Sequence, residues 1–353
     1  MPKMFRITAV AAVFLVTMLA LAFTAGASIG GFSISPTNLP ENQVDGIIDF
    51  FDLWVTPGQT QEVTFEVRNG RDETITVELS LNSASTIRTG VMVYSIPDAL
   101  LDDSLEFRLD EIVSFPGGRT EISVEIPGRT AATIPLNVAV PAEGFDGMVL
   151  GAVRALMGPI EEDLAQPATI RGRFANTMPI RLRINDIPVE PGFALGAAGV
   201  DVISHRAAYV VHIHNTAPRR SRDALASMWI YPAGSDQPVF FNENMRVDFA
   251  PNAVFAFTLR DEARYGIFPG NYVARVRVEY DDRVWEFEER FTVTMQAARE
   301  MAEYAAGQAR MLDAIGGSSG PSPALTIALI SITVLLLLAI VYLMRKIKRN
   351  RTR

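Results

Sequence analysis

The chain has 353 residues, 48% of them hydrophobic, no cysteine, and a net charge of −8. Without cysteine there is no disulfide framework, so stability has to come from the size of the core. Lys3, Arg6 and the six basic residues after position 344 supply eight positive charges, which leaves residues 28–344 at −16. Long-range repulsion at that charge argues against nucleic acid or another polyanion as the main partner.

In chain order, Lys3 and Arg6 precede an apolar run from Ile7 to Ala22, and Ala25-Gly26-Ala27 has the small-x-small form of a cleavage site. The pattern predicts a signal peptide over residues 1–27, with an uncleaved membrane helix as the alternative. A first β-sandwich is expected over 28–160. Val63, Phe65 and Val67 alternate with polar residues, a loop follows at Asn69–Glu73, and Ile75, Val77, Leu79 and Leu81 alternate again. This reads as an antiparallel hairpin with one dry face. Further short strands are expected at Phe50–Val55, Val91–Tyr94, Leu105–Arg108, Thr120–Ile126 and Thr133–Val140, with Pro135 confining the start of the last to an edge.

Two prolines and an acidic run interrupt the pattern at 158–169, and residues 161–169 are read as a linker. A second β-sandwich is expected over 170–295. Its strands are marked by Ile180/Leu182/Ile184, Tyr209/Val211/Ile213, Phe255/Phe257/Leu259, Tyr272/Ala274/Val276/Val278 and Trp285/Phe287/Phe291/Val293. Short strands with frequent turn signals suggest immunoglobulin-like sandwiches. Apolar residues spaced 4-3-4-3-4 from Ala297 to Ile315 then predict a helical stalk over 296–315. A Gly/Ser/Pro spacer follows at 316–323. The uncharged stretch 324–344 is long enough for a single transmembrane helix, and the basic tail 345–353 holds its end in the cytoplasm. The expected class is an all-β ectodomain with a short C-terminal helix, anchored by one membrane helix.

Residues suited to chemistry are few. His212-x-His214 has a spacing used by metal sites, but without cysteine it reads as an exposed strand face, and no metal or cofactor is expected. Asp45/Asp49/Asp52, Asp102/Asp103 and Asp281/Asp282 lack calcium-loop spacing and read as solvated loops. No nucleophile elbow, zinc-protease motif or phosphate loop is present in the sequence, so no enzyme is expected. Arg171, Arg173, Arg181 and Arg183 are placed along one sheet face and Arg219, Arg220 and Arg222 in a loop. Guanidinium groups there would suit carboxylates of wall peptides or an acidic partner.

Phe32-Ser-Ile-Ser-Pro, Leu39-Pro40-Glu41-Asn42-Gln43, Phe50-Phe51-Asp52-Leu53, Pro57-Gly58-Gln59 and Gly90-Val91-Met92-Val93-Tyr94 stand in one order. Asp103-Ser104-Leu105 and Phe145-Asp146-Gly147-Met148-Val149-Leu150-Gly151 complete it. This series resembles the peptidoglycan-binding domain of the WxL-interacting proteins of Gram-positive bacteria. Met245-Arg-Val-Asp-Phe-Ala-Pro-Asn252, Pro269-Gly270-Asn-Tyr272 and Trp285-Glu-Phe287 resemble the host-binding domain of the same family. The resemblance implies a non-enzymatic cell-surface protein. Its first domain would bind peptidoglycan and its second a WxL-type surface protein or a host protein. The loop Pro40, Glu41, Asn42, Gln43 and the pair Arg181, Arg183 are the expected ligand-binding residues. A tethered architectural or chaperone-like subunit, presenting a sheet edge to another exported chain, is the alternative. An accessory module of a wall hydrolase is a third.

Overall fold

In the computed structural model the residues described are 31–96, 100–158, 173–204, 206–260 and 266–303. The expected signal peptide 1–27, linker 161–169, spacer 316–323, membrane helix 324–344 and basic tail 345–353 lie outside them, as do Arg171, His205 and the expected stalk beyond residue 303. Among the described residues no helix is long and apolar enough to cross a membrane.

The first sandwich faces two sheets across one core. One sheet has the order β1 (Phe32–Asn38), β3 (Thr60–Asn69), β9 (Ala131–Ala139), β7 (Val113–Ser114). The other has the order β2 (Phe51–Trp54), β11 (Ala175–Arg183), β10 (Met148–Met157), β4 (Ile75–Ser83), β8 (Glu121–Ile126). Period-two alternation points Val63, Phe65 and Val67 of β3 at Val77, Leu79 and Leu81 of β4 through a common core. Each such fully buried side chain contributes about 1.5–3 kcal/mol. Pro135 pairs with Thr64 of β3, while β7 reaches only Asn137 and Val138, so the missing N–H falls where β9 is flanked by one strand.

Four segments sit differently from the sequence expectation. β3 and β4 are not a hairpin; they belong to opposite sheets, joined by an arch over residues 70–74. Alternation gives each strand one dry face in either arrangement, so it does not choose between them. The arch is fixed by buried Asn69. Its Nδ2 donates to the carbonyls of Glu73 (2.8 Å), Ile126 (3.0 Å) and Pro127 (3.2 Å), and its Oδ1 accepts the Arg71 N–H (2.9 Å). The Ile180/Leu182 strand, read as the opening of the second sandwich, is β11 of the first. It lies antiparallel to β10 and parallel to β2, with Met178, Ile180 and Leu182 in the first core. Its apolar period is satisfied by either core, so the sequence leaves the partner open. Leu105–Arg108, expected as a strand, leads instead into a one-turn helix, α1 (Leu109–Ile112). The Val91–Tyr94 segment is a two-residue strand, β6 (Met92–Val93), paired with β5 (Ser85–Thr86).

The second sandwich pairs a three-stranded sheet, β12 (Phe193–Ile203), β13 (Arg206–Asn215), β16 (Val254–Arg260), with a four-stranded one. The latter has the order β15 (Phe240–Phe249), β14 (Ser221–Pro232), β17 (Gly270–Tyr280), β18 (Arg283–Val293). Aromatic rings fill much of its interior: Phe193 meets Phe249 at 4.8 Å, Phe249 meets Phe255 at 5.6 Å, and Tyr272 stacks on Phe291 at 5.7 Å. Asp281 and Asp282, both at positive φ, form the two-residue turn of the β17–β18 hairpin. By compactness the chain divides into two units. The larger holds the first sandwich and most of the second; the described residues of the smaller are 200–204, 206–208, 260, 266–269 and 294–303. Residues 295–303 of the smaller unit are helical, and the Thr294 hydroxyl caps them by accepting the Ala297 N–H at 3.1 Å.

Candidate functional site

Both sets of residues singled out from the sequence converge on the edge strand β2. The Pro40–Gln43 loop turns through the Gln43 N–H to Pro40 carbonyl bond (3.0 Å) and lies along β2. Asn42 Nδ2 donates to the Trp54 carbonyl at 2.6 Å. Gln43 Nε2 donates to the carbonyls of Ile47 (2.9 Å) and Phe50 (3.0 Å), and its Oε1 accepts the Asp52 N–H (3.1 Å). These two amides are therefore engaged in shaping the loop. Glu41 is exposed beside them and Pro40 is half-buried.

Arg181 and Arg183 meet on one carboxylate across the β2–β11 pair. Asp52 is fully buried; it takes a two-point contact from Arg181, whose Nε lies 2.8 Å away, and a 3.0 Å bond from Arg183 Nη2. The Arg183 guanidinium also lies 4.2 Å over the Trp54 ring. Burial alone would push the Asp52 carboxyl up, but the two guanidinium groups outweigh it and hold the pKa below the usual carboxylate range. Two cations on one anion leave this spot with an excess positive charge. Arg181 and Arg183 keep 30% and 22% of their side-chain surface exposed. A carboxylate-bearing ligand would meet a guanidinium pair already held in place. Arg173 is apart from them, bonded to Glu78 at 2.8 Å and to the Met157 carbonyl.

Other segments that carry the family resemblance come together elsewhere, at the joint between the sandwiches. Gly90 accepts the Asp248 N–H through its carbonyl (2.7 Å), and Met148 N–H donates to Pro218 (2.9 Å). Leu100 and Asp102 bracket Asn252 and Val254 with backbone bonds of 3.0 and 2.8 Å. Buried Asn252 donates from Nδ2 to the Ser104 hydroxyl at 2.8 Å. Ala84, Ala250 and Ala253 pack with Met92, Tyr94 and Leu150 into a small apolar contact. Gly90 (φ 78°) and Gly147 (φ 65°) are required here. A Cβ would lie 2.6 Å from the Arg246 carbonyl oxygen at the first and 2.2 Å from that of Pro218 at the second. A cavity of about 240 Å³ remains between Phe107, Asp146, Thr216 and Asn252.

His214 belongs to the same joint. Its Nδ1 lies 2.5 Å from Asp102 Oδ2, so it is not on a freely solvated strand face as the sequence suggests. Burial favours the neutral Asp102 carboxyl, but the Ser104 hydroxyl, His214 and the Ser104 N–H outweigh it and lower the pKa. The Nε2 side of the ring faces Gly196, where even a Cβ would come within 2.3 Å. A His–Asp pair is thus present with its second nitrogen beside the Gly196 backbone. Among the described residues no group of three or more His, Asp or Glu is arranged to hold a metal ion. Arg219 donates to the Val189 carbonyl (2.8 Å) and the Tyr280 hydroxyl (3.0 Å), and Arg220 forms a two-point pair with Asp248. Sequence reasoning missed Asp52, Asn69, Thr86 and Asp102 as positioning groups. A polar residue inside an otherwise apolar strand was the signal for Asp52; for the others the sequence offers none.

Two family models match in order: WxL Interacting Protein, peptidoglycan binding domain, over residues 32–156, and WxL Interacting Protein, host binding domain, over 165–303. Both descriptions are of binding domains. No curated protein matches the chain. Among solved structures, the E. coli chaperone DraB is similar at 11% identity and a TM-score of 0.27, over 75% of this chain and 99% of that one. The Pseudomonas aeruginosa CupB2 chaperone is similar at 12% and 0.26, over 68% and 97%. A PapD-like domain of human CEP192 is similar at 11% and 0.26, over 45% and 87%. Likeness at this level decides nothing about partners. The two domain matches, running consecutively through both sandwiches, settle the family: the chain belongs to the WxL Interacting Protein family.

Proposed function

We propose that the protein is a non-enzymatic, membrane-anchored component of a Gram-positive cell surface. Its first, immunoglobulin-like sandwich contacts peptidoglycan, and its second takes a WxL-type surface protein or a host protein. The consecutive pair of binding-domain matches is the observation that carries this reading. On the first sandwich, the β2 edge is the best-equipped surface. Exposed Glu41, the Trp54 ring and the excess charge of Arg181 and Arg183 over Asp52 suit the carboxylates and amides of wall peptides. The alternative of strand addition at a sheet edge is disfavoured at β18, where Arg283, Glu286, Glu288, Glu289 and Arg290 blunt the edge with charge.

Co-sedimentation of the full chain, held in detergent, with purified sacculi tests the wall contact. The protein is expected in the pellet at low and moderate salt. Recovery in the supernatant throughout would reject it. A retained pellet in the Arg181→Gln/Arg183→Gln variant, with its fold intact, would reject the β2 edge as the place.

A further inference from the structure

The outward face of the β15–β14–β17–β18 sheet carries an exposed aromatic ring, Phe241, beside the half-buried rings of Trp229 and Tyr231. The strand registers put Phe241, Trp229, Arg275 and Glu288 side by side in one row, because residues directly opposite in a ladder share a face. Tyr231 stands on the same face two residues from Trp229. Phe241 is 61% exposed and Val239 49%. The polar groups among the rings are held in place. Trp229 Nε1 donates to Glu243 (2.8 Å), Arg275 Nε to Glu288 (3.2 Å), and the Arg275 guanidinium lies 4.8 Å over Tyr231. A shallow groove of about 460 Å³ runs between Trp229, Tyr231, Arg275, Arg277, Glu286 and Glu288.

We propose that this face binds an uncharged saccharide ring. Exposed aromatic faces pack against the apolar C–H side of a sugar, and grouped exposed apolar surface marks an interaction site. Arg275 donates and Glu288 accepts within the row, and Glu243 accepts beside it, which matches hydroxyl groups that do both. An anionic ligand would have to displace Glu288 from Arg275, and a cationic one would have to displace Arg275 from Glu288. The compensated Arg275–Glu288 pair therefore selects against net charge. A protein partner fits less well, since interface cores are depleted in charged residues and need about 800 Å² a side. Here the Arg275–Glu288 ion pair stands in the same row as Phe241 and Trp229.

The test uses the full chain in a detergent without a sugar headgroup. Two uncharged probes separate the sources: a β-1,4-linked N-acetylglucosamine tetramer for wall glycan and a galactose-terminated tetrasaccharide for animal surfaces. Calorimetric titration is expected to show binding of at least one, with quenching of tryptophan emission. Trp229→Ala and Phe241→Ser are expected to weaken it about tenfold or more at unchanged melting temperature. Phe241 is surface-exposed, so its variant keeps the test open if Trp229→Ala does not fold. Absence of binding by either probe, binding only of a sialylated sugar, or equal binding by the Phe241 variant would overturn the inference. Failure here leaves sacculus binding through the first sandwich untouched; if the glucosamine tetramer binds, the sacculus experiments are run in the Phe241→Ser background, where the first sandwich is the remaining contact.

Discussion

The Thr86 hydroxyl accepts the Ala250 N–H at 2.9 Å while donating to the Asp248 carbonyl at 3.0 Å. One buried side chain of the first sandwich thus satisfies two backbone groups of the second. Thr86→Val keeps the shape, leaves a buried N–H unpaired and should cost about 1–3 kcal/mol. Gly147→Ala should act more strongly, because it forces a Cβ onto the Pro218 carbonyl oxygen from a left-handed backbone. Both variants are expected to lower the melting temperature and to open the chain between the sandwiches to protease. One cooperative transition at the parent temperature in Gly147→Ala would show that the joint contributes nothing.

Acid should weaken the fold through Asp52 and Asp102. Burial raises both carboxyls, but their partners outweigh it, so each titrates lower folded than unfolded. As pH falls the unfolded chain takes up protons first. The stability these groups add is complete above the ordinary carboxylate pKa, about 4, and is lost as pH drops below it toward the folded values. Denaturant midpoints measured from pH 6 down to 2 should fall below about pH 4. Asp52→Asn should be less stable at pH 6 and show a shallower acid limb; an unchanged limb would mean the ion cluster is not coupled to folding.

The Pro40–Gln43 loop separates structural from binding contributions. Gln43→Ala removes bonds to Ile47, Phe50 and Asp52 and should destabilise by about 1–3 kcal/mol. Glu41→Ala touches none of them and should melt like the parent. If Glu41→Ala alters sacculus binding at unchanged stability, the loop is a contact; if only Gln43→Ala alters it, the loop acts through the fold.

How much of this was legible beforehand depends on what a local pattern can encode. Alternation located β3, β4, β13 and β17 because one face of each is dry. It could not tell that β3 and β4 sit in opposite sheets or that β11 joins the first core, since apolar period is blind to the partner strand. The motif residues Gly90–Tyr94, Ser104, Gly147 and Asn252 were visible as a series, yet their common place in the joint depends on contacts some 150 residues apart in sequence, such as Ser104–Asn252. Arg181 and Arg183 were visible as a charged pair. The buried carboxylate that gathers them is harder to read, because Asp52, although inside the Phe50–Val55 strand, also completes the acidic series Asp45/Asp49/Asp52.

The proposed membrane anchor has its own test. If the stretch 324–344 spans a membrane with the six basic residues after position 344 inside, protease added to intact, wall-stripped cells should degrade both sandwiches and leave a small C-terminal fragment. A protected ectodomain would reverse the assignment.

The remaining prediction is that the protein binds without cutting. Hydrolysis of an amide or glycosidic bond needs a nucleophile with its base, or an acid and base flanking the bond. His214 is positioned by Asp102 as a base would be, at 2.5 Å, but its Nε2 side, from which a serine would be activated, lies beside the Gly196 backbone. Arg181 and Arg183 hold the Asp52 carboxylate ionised by direct pairing, which suits neither proton donation nor attack. Incubating the full chain with sacculi should therefore release no soluble muropeptides at any protein concentration. His214→Ala should loosen the joint, lowering the melting temperature, without altering release. Muropeptides that scale with protein and vanish in His214→Ala would assign the His–Asp pair a catalytic role and overturn the reading of this chain as a binding protein.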